Sequence, residues 1–203
     1  LVKEHGARNI SWQSAASPLL EGGLLYLCCG AEGGSLMALK PADGSVVWKK
    51  ESDKMTHASP VPATVLGVRQ IIFFTQTGLV STDPKSGAVL WRYSFRYAVS
   101  TAASPVVEKD IVYCSAGYGV GAGAVRVSRE GDAWAAKELW RTADNRVANH
   151  WSTPVVKDGY LYGMFGFKDY GRCPLKCLEL ATGKEMWAKP DFGPGGVLLA
   201  AGR

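Results

Sequence analysis

STPVVKDGYLY at residues 152–162, followed by LELATGKEMW at 178–187, decides how this chain folds. A small residue, a hydroxyl residue and a proline open the stretch. Two short apolar runs flank an Asp158-Gly159 turn, and a Thr182-Gly183 turn leads to Trp187. Runs of this length, rich in Val, Leu and Tyr and broken by glycine turns, read as β-strands joined by hairpins. The opening recurs as Ala16-Ser17-Pro18, Ala58-Ser59-Pro60 and Ala103-Ser104-Pro105. The ending recurs too, on Trp48, Trp91 and Trp140, with Gly44 and Gly87 placed four residues before the tryptophan as Gly183 is. Successive prolines lie 42, 45 and 49 residues apart. That is the period of a four-stranded propeller blade.

The first copy resolves into four strands: Ser17 to Leu20, Leu24 to Cys29, Ser35 to Leu39 and Val46 to Lys49, with turns at Gly22-Gly23, Gly33-Gly34 and Asp43-Gly44. The expected fold class is therefore all-β, a β-propeller of four-stranded antiparallel blades. The blades are expected at about 14–50, 56–93, 100–142 and 149–189 of one partial domain spanning 1–203, with a further blade starting at 193–203. A blade cannot bury both faces alone, so Trp48, Trp91, Trp140 and Trp187 are expected as core residues filling the space between neighbouring sheets.

The pattern SPV or STPVV, then DGYLY, then LxLxTGxxxW resembles the PQQ-binding-like (quinoprotein alcohol dehydrogenase-like) propeller repeat, and the resemblance covers Ser14 to Trp187. It implies a ring of about seven or eight blades, the remaining ones supplied by parts of the same chain not present here, and a periplasmic or secreted setting. That expectation is drawn without any signal peptide within these residues. The family includes quinoprotein dehydrogenases, in which pyrroloquinoline quinone (PQQ) and calcium sit over the central channel, and a non-catalytic propeller lipoprotein of outer-membrane protein assembly. The vicinal Cys28-Cys29 pair departs from the cysteine pair of some quinoproteins, which precedes a blade, because here it falls in the second strand. No Glu, Asn and Asp set matches the calcium site residue by residue. The implied function is a non-catalytic scaffold binding a protein or carbohydrate partner, with part of a PQQ- and calcium-dependent alcohol or sugar dehydrogenase as the alternative. No cofactor is evident in the residues, and no catalytic residue is assigned.

In such a fold the residues just before each opening proline lead into the innermost strand and face the channel mouth. They are Trp12-Gln13-Ser14, Thr56-His57, Ser100-Thr101 and Asn149-His150-Trp151. The candidate partner-binding set is Asn149, His150, Trp151 and Arg146, with His57 and Trp12: an amide, two imidazoles, a guanidinium for an anion and two stacking surfaces. Turn capping and packing are the structural alternative for His150 and Trp151. Gly117 to Gly123 looks superficially like a phosphate loop but has no helix after it, so a blade hairpin is expected. Gly166 to Lys176, carrying Lys168, Asp169, Tyr170 and Arg172, reads as a second long insertion and a candidate partner surface.

Composition narrows the rest. The net charge of +5 is spread over the chain without a block of like charges, which argues against nucleic acid as a partner. No apolar run is long enough for a transmembrane helix. Five cysteines suit packed thiols better than a disulfide framework, and Cys173 with Cys177 lacks a second pair to complete a metal site.

Overall fold

The computed structural model describes residues 2–166 and 173–200. Sixteen strands form four separate four-stranded antiparallel sheets. The first holds β1 (Leu19–Glu21), β2 (Leu24–Cys28), β3 (Leu36–Leu39) and β4 (Val46–Lys50). The second holds β5 (Val61–Val65), β6 (Val68–Thr75), β7 (Gly78–Thr82) and β8 (Val89–Ser94). The third holds β9 (Val106–Glu108), β10 (Ile111–Ala116), β11 (Gly121–Glu130) and β12 (Ala133–Thr142), and the fourth β13 (Val155–Lys157), β14 (Tyr160–Met164), β15 (Leu175–Glu179) and β16 (Glu185–Lys189). Each sheet is a meander in chain order, the arrangement of a propeller blade. One helical turn, α1 (Val2–His5), precedes the strands, and a 3-10 turn spans Asn145–Val147.

The chain divides into two compact units, residues 1–97 with 129–135, and residues 98–128 with 136–203. In the first unit β1 lies beside β5, and Tyr26, Leu36, Ala38 and Trp48 of one blade bury against Ile71, Phe73 and Val80 of the next. In the second unit β9 lies beside β13, and Tyr113 and Ala122 pack with Leu161, Leu178 and Phe165.

A shared local geometry explains why the ending motif repeats. Gly44, Gly87 and Gly183 all sit at φ near +70°, a conformation that costs little only for glycine, and their N–H groups close a turn on Lys40, Asp83 and Glu179. The register between the last two strands then slips by one residue just past Ala38, Ser81 and Cys177. Each of these small side chains faces the blade tryptophan across the sheet and leaves room for the indole.

The glycine has a second role. Trp48 donates its indole N–H to the Pro84 carbonyl of the next blade at 2.8 Å, and its ring lies over Gly87, where a Cβ would stand 2.5 Å from the indole. Trp140 repeats this on the Leu180 carbonyl at 2.9 Å, over Gly183. The opening motif forms a matching inner staple. The Ser17 N–H donates to the Ser59 hydroxyl, and the Ser104 N–H to the Thr153 hydroxyl, both at 2.9 Å. Trp91 is the exception: the third copy lacks the glycine, and the Trp91 indole N–H is satisfied inside its own blade by Gln70 Oε1 at 2.8 Å.

Three expectations need correction. Trp187 is not core but 40% exposed, because no described residues supply the sheet that covers Trp48 in the first unit. Trp140 is only half-buried. The Gly117–Gly123 stretch is the expected blade hairpin: its turn is closed by the Val120 N–H on the Gly117 carbonyl and joins β10 to β11, whose first residues are buried. Gly121 is forced there, since a Cβ would fall 1.8 Å from the Thr142 carbonyl oxygen. Cys29 lies one residue beyond β2 and is buried. The candidate surface residues Lys168, Asp169, Tyr170 and Arg172 lie outside the described residues.

Candidate functional site

The loops leading into the innermost strands are shaped by backbone demand before any ligand is considered. In the first unit His57 is buried, with Nε2 2.8 Å from the Ser11 carbonyl. Trp12 lies 6.3 Å from the His57 ring, 65% exposed, and both Trp12 and Gln13 adopt positive φ (64° and 68°). Non-glycine residues occupy that region at a cost, and this exposed loop is held by the Gln13 N–H on the Ile10 carbonyl at 3.0 Å and by the His57 contact to Ser11. Thr56 donates its hydroxyl to the Phe74 carbonyl and accepts from the Ala58 N–H.

In the second unit Asn149 is a buried strut. Its Oδ1 accepts from the Tyr113 hydroxyl at 2.9 Å, its Nδ2 donates to the Met164 carbonyl at 2.7 Å, and its backbone exchanges two hydrogen bonds with the Ser115 hydroxyl. Burial pushes the Tyr113 hydroxyl far above its ordinary pKa, so it stays a donor. His150 is 3% exposed; its Nδ1 accepts from the Gly117 N–H at 3.1 Å, which puts the ring proton on Nε2. The imidazole stands edge-on to Tyr118 at 5.1 Å and to Trp151 at 4.7 Å. The His150 carbonyl accepts from the Ala103 N–H, which ties this loop to the preceding blade. Trp151 is 50% exposed. Arg146 is exposed and paired at 2.7 Å with Asp144, the residue that caps the 3-10 turn.

The structure thus brings Asn149, His150 and Trp151 together, and separately Trp12 with His57, while Arg146 serves a local turn. Both loops share one plan: polar atoms satisfied inward, one large aromatic left outward.

Sequence reasoning missed a charged network in the first unit. Arg92 forms a two-point contact with Asp53 (Nη1–Oδ1 3.2 Å, Nη2–Oδ2 3.0 Å) and also binds Glu51, while Thr77 donates to Asp53. It borders a 630 Å³ cavity that includes Lys54 and Gln76. A neighbouring 400 Å³ cavity is lined by Arg8, Asn9, Ser11, Lys54 and Tyr97 among others. Nothing in the sequence signals that residue 92 reaches back to 53, because the pairing follows from how β8 sits beside the linker. Burial alone would raise the Asp53 pKa. Hydrogen bonds from Arg92 and Thr77 and the Arg92 charge outweigh it and hold the carboxyl below the usual carboxylate range. A depressed folded-state pKa stabilises the fold above the unfolded value of about 3.9, and that stabilisation disappears as pH falls through the folded value. Asp53→Asn is therefore expected to lower the denaturation midpoint at pH 7, with the gap to wild type closing as the pH falls past the unfolded value of about 3.9 and through the lower folded value. A gap that stays the same as the pH falls would show that the carboxylate charge contributes nothing.

None of the five cysteines is in a disulfide, and burial pushes the Cys28 thiol up to about 11 despite its contact with Ser35. Among the described residues no three His, Cys, Asp or Glu side chains converge on a position for one metal ion. The Glu51 and Asp53 carboxylates both accept from Arg92.

Comparison with known proteins matches residues 7–189 to the family profile described as outer membrane protein assembly factor BamB. The BamB structure from Moraxella catarrhalis superposes with a TM-score of 0.54 at 19% identity, covering 87% of this chain and 49% of that one. Quinohemoprotein alcohol dehydrogenase from Comamonas testosteroni superposes with a TM-score of 0.59 at 15% identity, covering 91% of this chain and 36% of that one. The chain thus spans about half the length of the first structure and about a third of the second, and at these identities the likeness is one of fold. No curated protein sequence matches significantly. Among the described residues no helix is long and apolar enough to cross a membrane.

Proposed function

We propose, for a chain that belongs to the PQQ-repeat family of the outer membrane protein assembly factor BamB, that it is a non-catalytic scaffold holding a protein partner in the bacterial periplasm. The observation that carries this reading is the division of labour in the leading loops. Asn149, His57 and His150 hydrogen-bond to other loops and strands of the chain, whereas Trp12 and Trp151 stand 65% and 50% exposed. Rigid aromatic anchors backed by a satisfied polar layer are what protein interfaces use as hot spots, and truncating one typically costs tenfold or more in affinity. A catalytic imidazole, by contrast, would keep both a lone pair and a path to substrate.

The test places a photo-crosslinking residue at position 12 or 151 in living bacteria. The expected result is a covalent adduct with a protein of the outer-membrane assembly machinery. Trp12→Ala and Trp151→Ala should each weaken recovery of that protein by at least about tenfold. Stoichiometric uptake of PQQ with calcium, together with dye-linked oxidation of alcohols, would overturn the scaffold reading in favour of a dehydrogenase. Retention on oligosaccharide without any protein adduct would overturn the protein partner.

A further inference from the structure

Two cations stand at the 400 Å³ cavity of the first unit with no carboxylate in its walls. A meander brings the stretch before β1, the β2–β3 turn, the β4–β5 linker and the β6–β7 turn to the same end of two neighbouring sheets. Arg8, Gly30, Lys54, Met55 and Gln76 come from these stretches and line the cavity. Among the described residues no Asp or Glu lines it, and no ion pair joins Lys54 to a carboxylate. Arg8 meets Glu32 at 3.6 Å with both side chains largely exposed, a contact that solvent screens.

The same wall holds an unmet donor. Met55 is 3% exposed, and its N–H reaches no acceptor among the described residues. Buried backbone donors are almost always paired, so this one calls for an acceptor from outside the chain. Gly30 leaves the nitrogen uncovered, since a Cβ at that position would stand 3.2 Å from it.

Two cations and an N–H suit an anion with more than one acceptor oxygen. Arg8 can take a carboxylate through two N–H groups, and Lys54 adds a point charge. The cavity shares Lys54 and Gln76 with the 630 Å³ one, where Arg92 is already balanced by Glu51 and Asp53. A single ion needs no such length, whereas an extended chain does. Trp12, 65% exposed, follows Ser11 of the cavity wall, so a stacking surface adjoins the charges. On the reading that the chain holds a protein partner, we propose that this cavity receives an aspartate or glutamate carboxylate from an extended acidic segment of that partner, held by Arg8, Lys54 and the Met55 N–H beside Trp12.

Fluorescence anisotropy of the chain with a labelled peptide of alternating aspartate and serine, and with its asparagine counterpart, tests the charge. The aspartate peptide is expected to bind at least about tenfold more tightly. Arg8→Gln and Lys54→Gln change exposed side chains, so each should weaken it by about tenfold at unchanged thermal unfolding. Lys184→Gln makes the same change in net charge at an exposed position of the second unit and should leave binding as it is. Equal binding of the two peptides, an equal loss in Lys184→Gln, or displacement of the peptide by equimolar inorganic phosphate would overturn the seat for an acidic segment. Crosslinking from position 12 in living bacteria separates the two readings. An adduct that Lys54→Glu leaves undiminished sinks the carboxylate seat alone, whereas a wild type without any adduct sinks the protein partner as well.

Discussion

Gly87→Ala is expected to destabilise the protein by about 3–5 kcal/mol, while Gly44→Ala, in the same turn one blade earlier, costs only about 1 kcal/mol. The two glycines share a left-handed backbone, φ +70° and +72°, so the conformational penalty of a Cβ is common to both. At Gly44 the new methyl meets nothing within 4 Å. Part of its backbone penalty is offset by the lower entropy of the unfolded chain, which favours Ala over Gly by about 0.4–1 kcal/mol. At Gly87 the methyl would stand 2.5 Å from the Trp48 indole, so the indole must lift away, losing its packing and its hydrogen bond to Pro84. A displaced core tryptophan costs up to about 3–5 kcal/mol, the scale of a Trp→Ala change. Denaturant titration of the pair reads the difference directly, and equal losses would show that the glycine serves only the turn.

Asn149→Ala is expected to cost about 3 kcal/mol, and Arg146→Ala, three residues earlier, less than about 0.5 kcal/mol. Asn149 is 1% exposed, and its amide completes the Tyr113 hydroxyl and the Met164 carbonyl. Alanine would leave the Met164 carbonyl without its amide donor and the Tyr113 hydroxyl with only its longer 3.3 Å bond to the Val147 carbonyl, and unmade buried bonds cost about 1–3 kcal/mol each. Arg146 lies on the surface, and its pair with Asp144 is screened. Thermal melts of the two variants distinguish a strut from a surface group, and a melting point for Asn149→Ala equal to wild type would remove the strut assignment.

The contrast also shows what the sequence could and could not tell. The Ser/Thr-Pro and Gly-x-x-x-Trp markers revealed the blades because the fold spends the same residues in the same places every 42 to 49 positions. What escaped is the partner of each marker, since partners lie 42 to 49 residues away in the staples and 36 to 40 in the tryptophan joints. The second role of Gly87 is invisible for that reason: a glycine in a turn already has a sufficient local explanation. Asn149 and His150 read as ligand groups because Tyr113, Ser115 and Gly117, which they join, lie 33 to 36 residues earlier on and after β10. Trp151 and Trp12 stood among the candidates alongside residues that proved buried, as one-dimensional spacing does not separate the two faces of a loop. Trp187 failed as a core residue for the opposite reason: its motif is intact, and only the covering sheet decides burial. The ten-residue strands β11 and β12 were hidden because the third copy sets its turn glycine, Gly131, nine residues before Trp140 rather than four.

The two-part joint bears on how such a chain changes length over generations. Each blade carries one indole and, in three copies of four, one glycine turn, so it brings a plug on one side and a socket on the other. Duplicating a whole repeat in frame adds a plug and a socket together and leaves every earlier pairing untouched, whereas a gain of half a repeat strands one of them. Selection on the joint therefore counts in whole blades, and unequal crossing-over between such repeats is constrained to the grain that the tryptophans set.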